Sequence, residues 1–289
     1  MQGAIVNGYQ LKYLLGEGVM AEVWYAENSI GKPAAVKILF EKLTRHESIV
    51  ERFHNEALVM QKLDHPNIRK VYDYGYLGNR HCIIMEYLEG NDLEALMRNG
   101  RRFTDDELRR WWNQITDALN VTHAQGIVHR DIKPSNLFLD KYGNIKLLDF
   151  GIAKIMEDAS LTHTGTVIGT TLYMSPEQIK TPKAVNYKTD AYSLAVSFVH
   201  LLSGRKPYDD TLLSNYEIQH SIITVPLDMG AVPTTWRYFL MPYLRKEASQ
   251  RPALKHFEVV AAPRQSQNTS SRPTISRSEE RFSRNAETD

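Results

Sequence analysis

The octet Gly16-Glu17-Gly18-Val19-Met20-Ala21-Glu22-Val23 lies between two strand-like runs. Glycines at 16 and 18 let backbone N–H groups come close to a phosphate. The strand–loop–strand setting does not suit a dinucleotide-binding turn, which runs into a helix, and the octet lacks the Gly-Lys-Ser/Thr ending of a Walker loop. Alone, such an octet is also what a plain hairpin turn supplies. Lys37 follows Val23 by fourteen residues and sits between Val36 and Ile38 in an apolar strand. A strand lysine commonly points to solvent. A glycine loop upstream and Glu56 downstream favour a phosphate ligand held by a carboxylate. Glu56 itself falls on the apolar stripe Ile49, Phe53, Met60, Leu63. A carboxylate there is costly without a partner, and the bland alternative is an edge side chain that reaches water. The densest cluster is His129-Arg130-Asp131-Ile132-Lys133-Pro134-Ser135-Asn136, followed eighteen residues after Asp131 by Asp149-Phe150-Gly151 and then by Gly169-Thr170-Thr171-Leu172-Tyr173-Met174-Ser175-Pro176-Glu177.

These groups can meet only if the intervening chain brings them together. From about 9 to 84 the pattern is strand-like and broken by one helix. Leu11, Tyr13 and Leu15 alternate before Gly16, residues 34–39 form a short apolar run, and 81–87 form another that ends in a loop at Glu89-Gly90-Asn91. The helix is expected over about 47–63. Beyond Asn91 the chain turns mostly helical. Thr104 at an N-cap with Glu107 three residues on is a capping box. Leu108, Trp111, Trp112, Ile115 and Leu119 then share one face, and Gly126 is a helix stop. Apolar triplets on either side of Asp140-Lys141-Tyr142-Gly143-Asn144 predict a small hairpin, and 190–202, apolar nearly all round, predicts a buried helix.

With these strings in order, the chain resembles the protein kinases over about residues 9–258. The ordered set is G-x-G, the strand lysine, the helix glutamate, H-R-D-x-x-x-x-N, D-F-G and [AS]-P-E. The resemblance implies an α+β, bilobal protein-kinase-like fold, with a small β-rich N-lobe holding one key helix (about 9–87) and a larger, mainly helical C-lobe (about 88–262). It implies ATP as cofactor with Mg²⁺, or Mn²⁺ as an alternative. Asp131 would accept the proton of a substrate hydroxyl with Lys133 beside it, Asn136 and Asp149 would hold the metal, and Lys37, oriented by Glu56, would grip the α/β-phosphates. Gly16, Glu17 and Gly18 would frame the loop over the phosphates. Met85 would back the adenine pocket, Glu86, Tyr87 and Leu88 would form the hinge that bonds adenine through backbone, and Leu15, Val23, Ala35 and Phe138 would be its apolar walls. Asp190 would tie down the catalytic loop, and Glu177 with Arg251 would make a buried structural pair. The third glycine position is Ala21, a departure that costs some backbone freedom and that the family tolerates.

Lys133 and Thr170 imply serine/threonine specificity, and the wording of 167–178 resembles the eukaryotic-like Ser/Thr kinases of bacteria. Arg130 would meet a phosphate on the activation segment, with Thr162, Thr164 and Thr166 as autophosphorylation sites and a homodimer as the route to phosphorylation in trans. A silent scaffold on this fold would lack Lys37, Asp131 or Asp149, and all three are present. A small-molecule phosphotransferase would lack the 29-residue stretch from Asp149 to Glu177 that forms a peptide platform.

Composition agrees with a globular enzyme. The 289 residues are 42% hydrophobic and 24% charged, which excludes a collagen-like chain, a rod or a wholly disordered protein. Lys+Arg 35 against Asp+Glu 34 leaves a net charge of +1, so no global pull towards nucleic acid or anionic membrane is expected. The single cysteine, Cys82, reads as core and forms no intramolecular disulfide. Residues 1–8 read as a lead-in without secretory character, no run is long enough to span a membrane, and a cytoplasmic setting is expected. In 263–289 only Ile275, Phe282 and Ala286 are apolar while nine residues are Ser or Thr and five are Arg, so this tail is expected to be disordered.

Overall fold

Strand periodicity explains how Lys37 comes to face a helix. In the computed structural model, which describes residues 1–150 and 171–258, an antiparallel sheet has the order β1 (Ile5–Val6), β2 (Tyr9–Glu17), β3 (Ala21–Asn28), β4 (Pro33–Leu39), β6 (Arg80–Met85), β5 (Val71–Leu77). Side chains alternate across a strand. Ala34, Val36 and Ile38 of β4 therefore join Val6, Leu11, Ala26, Cys82 and Ile84 on one face. The other face carries Leu39 and Ile83, packed with Ala21 against Phe53 and Ala57 of helix α1 (Glu47–Gln61). Lys37 has the parity of Leu39 and pairs in register with Val23 and Ile83. Its side chain is thus directed to the α1 face, the one on which Glu56 lies.

Two local expectations change. The alternation of Leu11, Tyr13 and Leu15 does not set their burial. The β2–β3 register shifts between Leu11 and Tyr13 and again between Leu14 and Gly16, so Leu11 is buried and Tyr13 and Leu15 are exposed. Tyr13 instead stacks on Tyr25 with ring centroids 4.8 Å apart, and Tyr25 meets Tyr87 edge-on at 4.7 Å. The expected loop at Glu89-Gly90-Asn91 is in part a strand, β7 (Gly90–Asp92), paired with β8 (Leu137–Asp140). β9 (Ile145–Leu147) completes this second sheet as the expected hairpin partner of β8. A strand of Gly, Asn and Asp carries no apolar signal, which is why it reads as loop.

After the short helix α2 (Leu93–Arg98), α3 (Asp105–Ala124) opens with both halves of the Thr104–Glu107 capping box in place and ends just before Gly126, at φ +73°. Its face of Leu108, Trp111, Trp112, Ile115 and Leu119 packs in one large core with Leu194, Phe198 and Trp236. Buried indoles need partners for their N–H groups. Trp111 donates to the Gly143 carbonyl at 3.0 Å and Trp112 to the Lys255 carbonyl at 2.9 Å. Beyond α4 (Pro176–Lys180), helix α5 (Tyr187–Ser203) is buried from Thr189 to Leu201 and caps at Gly204 with φ +67°. Helices α6 (Asn215–Thr224) and α7 (Thr234–Leu240) follow.

The same core takes in Met60 at the end of α1, Leu63 just beyond the helix, and Ile68. Residues 67–69 join the upper sheet to β9: Leu147 N–H donates to the Asn67 carbonyl (2.8 Å), Arg69 N–H to the Leu147 carbonyl (3.0 Å), and Asn67 Nδ2 to the Ile145 carbonyl (2.6 Å). No helix among the described residues is long and apolar enough to cross a membrane. The compact unit is Met1–Phe257, and of the second unit, Glu258–Asp289, only Glu258 is described. The tail at 263–289 lies outside the described residues.

Candidate active site

Lys37 Nζ stands 2.7 Å from Glu56 Oε1 and 3.0 Å from Asp149 Oδ2. Strand β4, helix α1 and the turn after β9 therefore each contribute one charge to a single group. Burial alone would lower the Lys37 pKa, but Asp149 and Glu56 outweigh it and the ammonium is held above its ordinary value. Burial pushes the Glu56 carboxyl up against the pull of Lys37. Burial also acts to raise Asp149, yet Lys37 and then Arg69 overcome it and leave its pKa at about 2. The site therefore holds a carboxylate that stays ionised throughout the neutral range.

A second group is built on the loop before β8. Asp190, wholly buried at the start of α5, accepts the backbone N–H groups of His129 and Arg130, each at 2.8 Å, and faces His123 Nε2 at 2.8 Å. Arg130 sits at φ +66°, a conformation rare outside glycine, so its backbone needs this restraint. Gln178 of α4 adds another by donating Nε2 to the Arg130 carbonyl at 2.9 Å. Asp131 then presents its carboxylate with Lys133 Nζ at 3.1 Å and Asn136 Nδ2 at 3.0 Å from Oδ2. Asn136 is shared between the groups, since its carbonyl accepts the Leu148 N–H at 3.0 Å, one residue before Asp149. Phe150 is buried and lies 4.4 Å, centroid to centroid, from the His129 ring.

The donor set suits a hard divalent cation. Asp149 brings a carboxylate whose side chain is 40% exposed; its Oδ1 is buried, with Arg69 Nη1 3.7 Å away, and its Oδ2 is the oxygen engaged by Lys37. The Asn136 amide spends its Nδ2 on the Asp131 carbonyl (2.7 Å) and carboxylate, and its oxygen is the atom a metal would take. Among the described residues no cluster of three or more His, Cys, Asp or Glu side chains could cage a metal. Mg²⁺ takes one or two protein oxygens and fills its octahedron with water and phosphate.

The adenine-pocket candidates come from both sheets: Leu15 of β2, Val23 of β3, Ala35 of β4 and Met85 of β6 from the first, and Phe138 of β8 from the second. Ala35 and Met85 are buried, Val23 and Phe138 half-buried, and Leu15, Gly16, Glu17 and Gly18 exposed. The glycine loop closes on itself through Gly18 N–H to the Ala21 carbonyl, 2.8 Å. Ala21 is more than a tolerated departure: its methyl is buried in the cluster with Leu39 and Phe53 that seats α1. The side chain of Glu86 is engaged by Lys146, whose Nζ holds both its oxygens at 2.7 and 2.8 Å. The Glu86 backbone N–H donates to the Lys70 carbonyl at 2.8 Å. Tyr87 and Leu88 are half-buried beside it.

Glu177 and Arg251 form a bidentate pair at 2.7 and 2.8 Å, with the Thr189 hydroxyl donating to Glu177 at 2.6 Å. Cys82 is buried in the sheet, and burial pushes its thiol up to about 12, an inert core position. Thr162, Thr164, Thr166 and Thr170 lie outside the described residues. Sequence reasoning missed Gln178, Lys146, His123 and Arg69. Each acts through a neighbour distant in the chain, and only Arg69 carried a usable signal, a charge directly after the apolar Ile68.

The family description "Protein kinase domain" matches residues 9–260. Among curated proteins, the chain is 37% identical to "Serine/threonine-protein kinase pkn2" of Myxococcus xanthus over 84% of its own length and 30% of that protein's. It is 38% identical to "Serine/threonine-protein kinase PrkC" of Bacillus subtilis over 75% of this chain and 34% of the relative. With "Serine/threonine-protein kinase PknA" of Mycobacterium tuberculosis it shares 36% identity over 71% of this chain and 49% of the relative. The chain thus matches about a third to a half of the length of these relatives.

Proposed function

The chain belongs to the protein kinase family, of the eukaryotic-like type found in bacteria, and from that membership we propose that it transfers the γ-phosphoryl group of ATP to serine and threonine hydroxyls of proteins. The observation that carries this reading is the ion-paired group of Lys37, Glu56 and Asp149, joined through Asn136 to the loop that presents Asp131.

In the proposed reaction the substrate oxygen attacks the γ-phosphorus. The bond from that phosphorus to the β–γ bridging oxygen breaks, and ADP leaves. Asp131 takes the hydroxyl proton, its carboxylate aimed by Asn136 and Lys133. Lys133 stands where it also offsets charge on the transferring group, the feature that favours Ser/Thr over Tyr. Lys37 grips the α- and β-phosphates and Glu56 keeps its ammonium in the cleft. Asn136 and Asp149 would hold Mg²⁺, or Mn²⁺ in its place, and the metal when bound neutralises phosphate charge. The apolar walls Leu15, Val23, Ala35 and Phe138, with Met85 behind, would bury the adenine, while Gly16, Glu17 and Gly18 cover the phosphates.

The kinase domain in this reading is 9–262, and the protein works in the cytoplasm. It autophosphorylates at Thr162 or Thr164, with Thr166 the weaker site, two copies meeting as a homodimer. Arg130 receives the phosphate, whose charge and oxygens suit a guanidinium. Labelled ATP offered with a protein substrate, and separately with sugars and aminoalcohols, tests the activity. Label in protein Ser and Thr that disappears in Asp131→Asn supports it, and label in the small molecules alone refutes it. Pre-incubation with Mg·ATP tests the regulation. Wild type should be activated and the triple alanine variant at 162, 164 and 166 should not.

A further inference from the structure

Arg69 precedes β5 and is anchored by its own backbone N–H on the Leu147 carbonyl at 3.0 Å. Its side chain is only 13% exposed. Nη1 lies 3.7 Å from Asp149 Oδ1 and 3.4 Å from Met85 Sδ, and Nε has no hydrogen-bond partner among the described residues. A guanidinium carried into a protein interior loses several kcal/mol of hydration, on the order of what a strong partner returns, so a site that keeps one asks for a reason. Neutralising Asp149 is not a sufficient one, because Lys37 already does so at 3.0 Å.

The two cations hold different oxygens. Lys37 is on Oδ2 and Arg69 is on Oδ1. Lys37 is also the residue that must turn to the phosphates when nucleotide arrives, and Oδ2 then loses its partner. Arg69 is placed behind Met85, the back wall of the adenine pocket, and its fixed planar fork keeps its geometry where a flexible ammonium would not. We propose that Arg69 is a positioning residue that pins the inner oxygen of Asp149, so that the outer oxygen stays directed into the cleft for the metal after Lys37 has left it. This deepens the proposed function and rests on Asp149 being a metal ligand. Arg69 touches neither nucleotide nor substrate and is not a catalytic residue.

Calorimetric binding of ADP to the whole chain, without metal and across a MgCl₂ titration, tests this without relying on turnover. In Arg69→Met, metal-free ADP affinity should change less than about 2-fold, while the Mg²⁺ concentration that half-saturates the tightening of ADP should rise about 10-fold or more, the scale of losing a partner of a metal ligand. Arg69→Lys should recover only part of this, because it restores charge without the fork. Arg69→Gln serves as a second uncharged variant if the methionine variant does not fold. Combined with Asp149→Asn, the Arg69 substitution should add no further shift. An unchanged or lowered Mg²⁺ requirement in the uncharged variants overturns the proposal, as does an equal loss of metal-free and metal-assisted binding. If Asp149→Asn alone keeps wild-type Mg²⁺ dependence, the reading of Asp149 fails instead, whatever Arg69 does.

Discussion

Lys37 is the residue on which most of the site converges, and its ion pairs make a sharp prediction. Methionine keeps an unbranched aliphatic stem but removes the ammonium, whose Nζ lies 5.9 Å from the Phe53 ring centroid. Lys37→Met should still fold, with a denaturation midpoint lowered because buried Glu56 loses its partner, and should lose about 10²-fold or more in kcat, the scale of removing a preorganised electrostatic group. Near wild-type turnover would remove Lys37 from the mechanism. Glu177 makes the opposite prediction. Its partner Arg251 has a side chain that is 0% exposed, so Glu177→Ala strands a buried charge. Such losses run to about 3–5 kcal/mol. The lower end applies here because the guanidinium also donates to the carbonyls of Lys188, Arg245 and Lys246. Urea unfolding of the variant should show the loss. A change in turnover with no change in stability would mean that the pair serves the reaction directly.

At the scale of elements, the smallest strand is the most exposed to a single change. Gly90 of β7 has φ +149°, and a Cβ there would come within 2.0 Å of the Leu139 carbonyl oxygen. Gly90→Ala must displace β7 from β8, and with it Phe138, which pairs with Asp92 across the same ladder. The backbone term alone is about 1–3 kcal/mol. The expected outcome is a lower melting temperature together with a raised KM for ATP. Equal stability with an unaltered KM would show that β7 does not support Phe138 in the proposed adenine wall. Helix α1 behaves differently: it carries Glu56 on the sheet side through Phe53, Ala57 and the buried methyl of Ala21, so the Lys37–Glu56 contact depends on packing spread over several strands.

The whole molecule carries a pH dependence that originates away from the cleft. His200 of α5 is buried, its Nδ1 is 2.7 Å from the Tyr173 hydroxyl, and burial, with Lys206 assisting and Asp210 opposing, lowers its pKa to about 4. In the unfolded chain a histidine titrates near about 6.5. Between those values the unfolded state binds the extra proton. The stability that neutral His200 contributes is therefore complete above about 6.5 and is lost as pH falls towards about 4. At about 1.4 kcal/mol per unit over about 2.5 units, the loss is roughly 3–4 kcal/mol. Melting temperatures measured from pH 7 to 4.5 should fall for wild type and fall less for His200→Gln. Parallel curves for the two proteins would assign the acid sensitivity elsewhere.

Local physics made part of this protein legible from its residues alone. The capping box at Thr104, the stop at Gly126, the hairpin around Gly143 and the buried helix after Asp190 each depend on side chains a few positions apart, and such patterns survive in one dimension. So does the resemblance to the kinases, because its motifs are contiguous strings. That Glu56 needed a partner also followed from one helix, since a carboxylate on an apolar stripe is unstable alone. Which oxygen of Asp149 each cation holds, that Lys146 engages the Glu86 carboxylate, and that Arg69 lies behind Met85 were decided only by the tertiary fold. A guanidinium 80 residues from its carboxylate leaves no periodic trace. β7 was hidden for a related reason: its pairing is made by backbone groups, which every residue possesses and no sequence pattern reports.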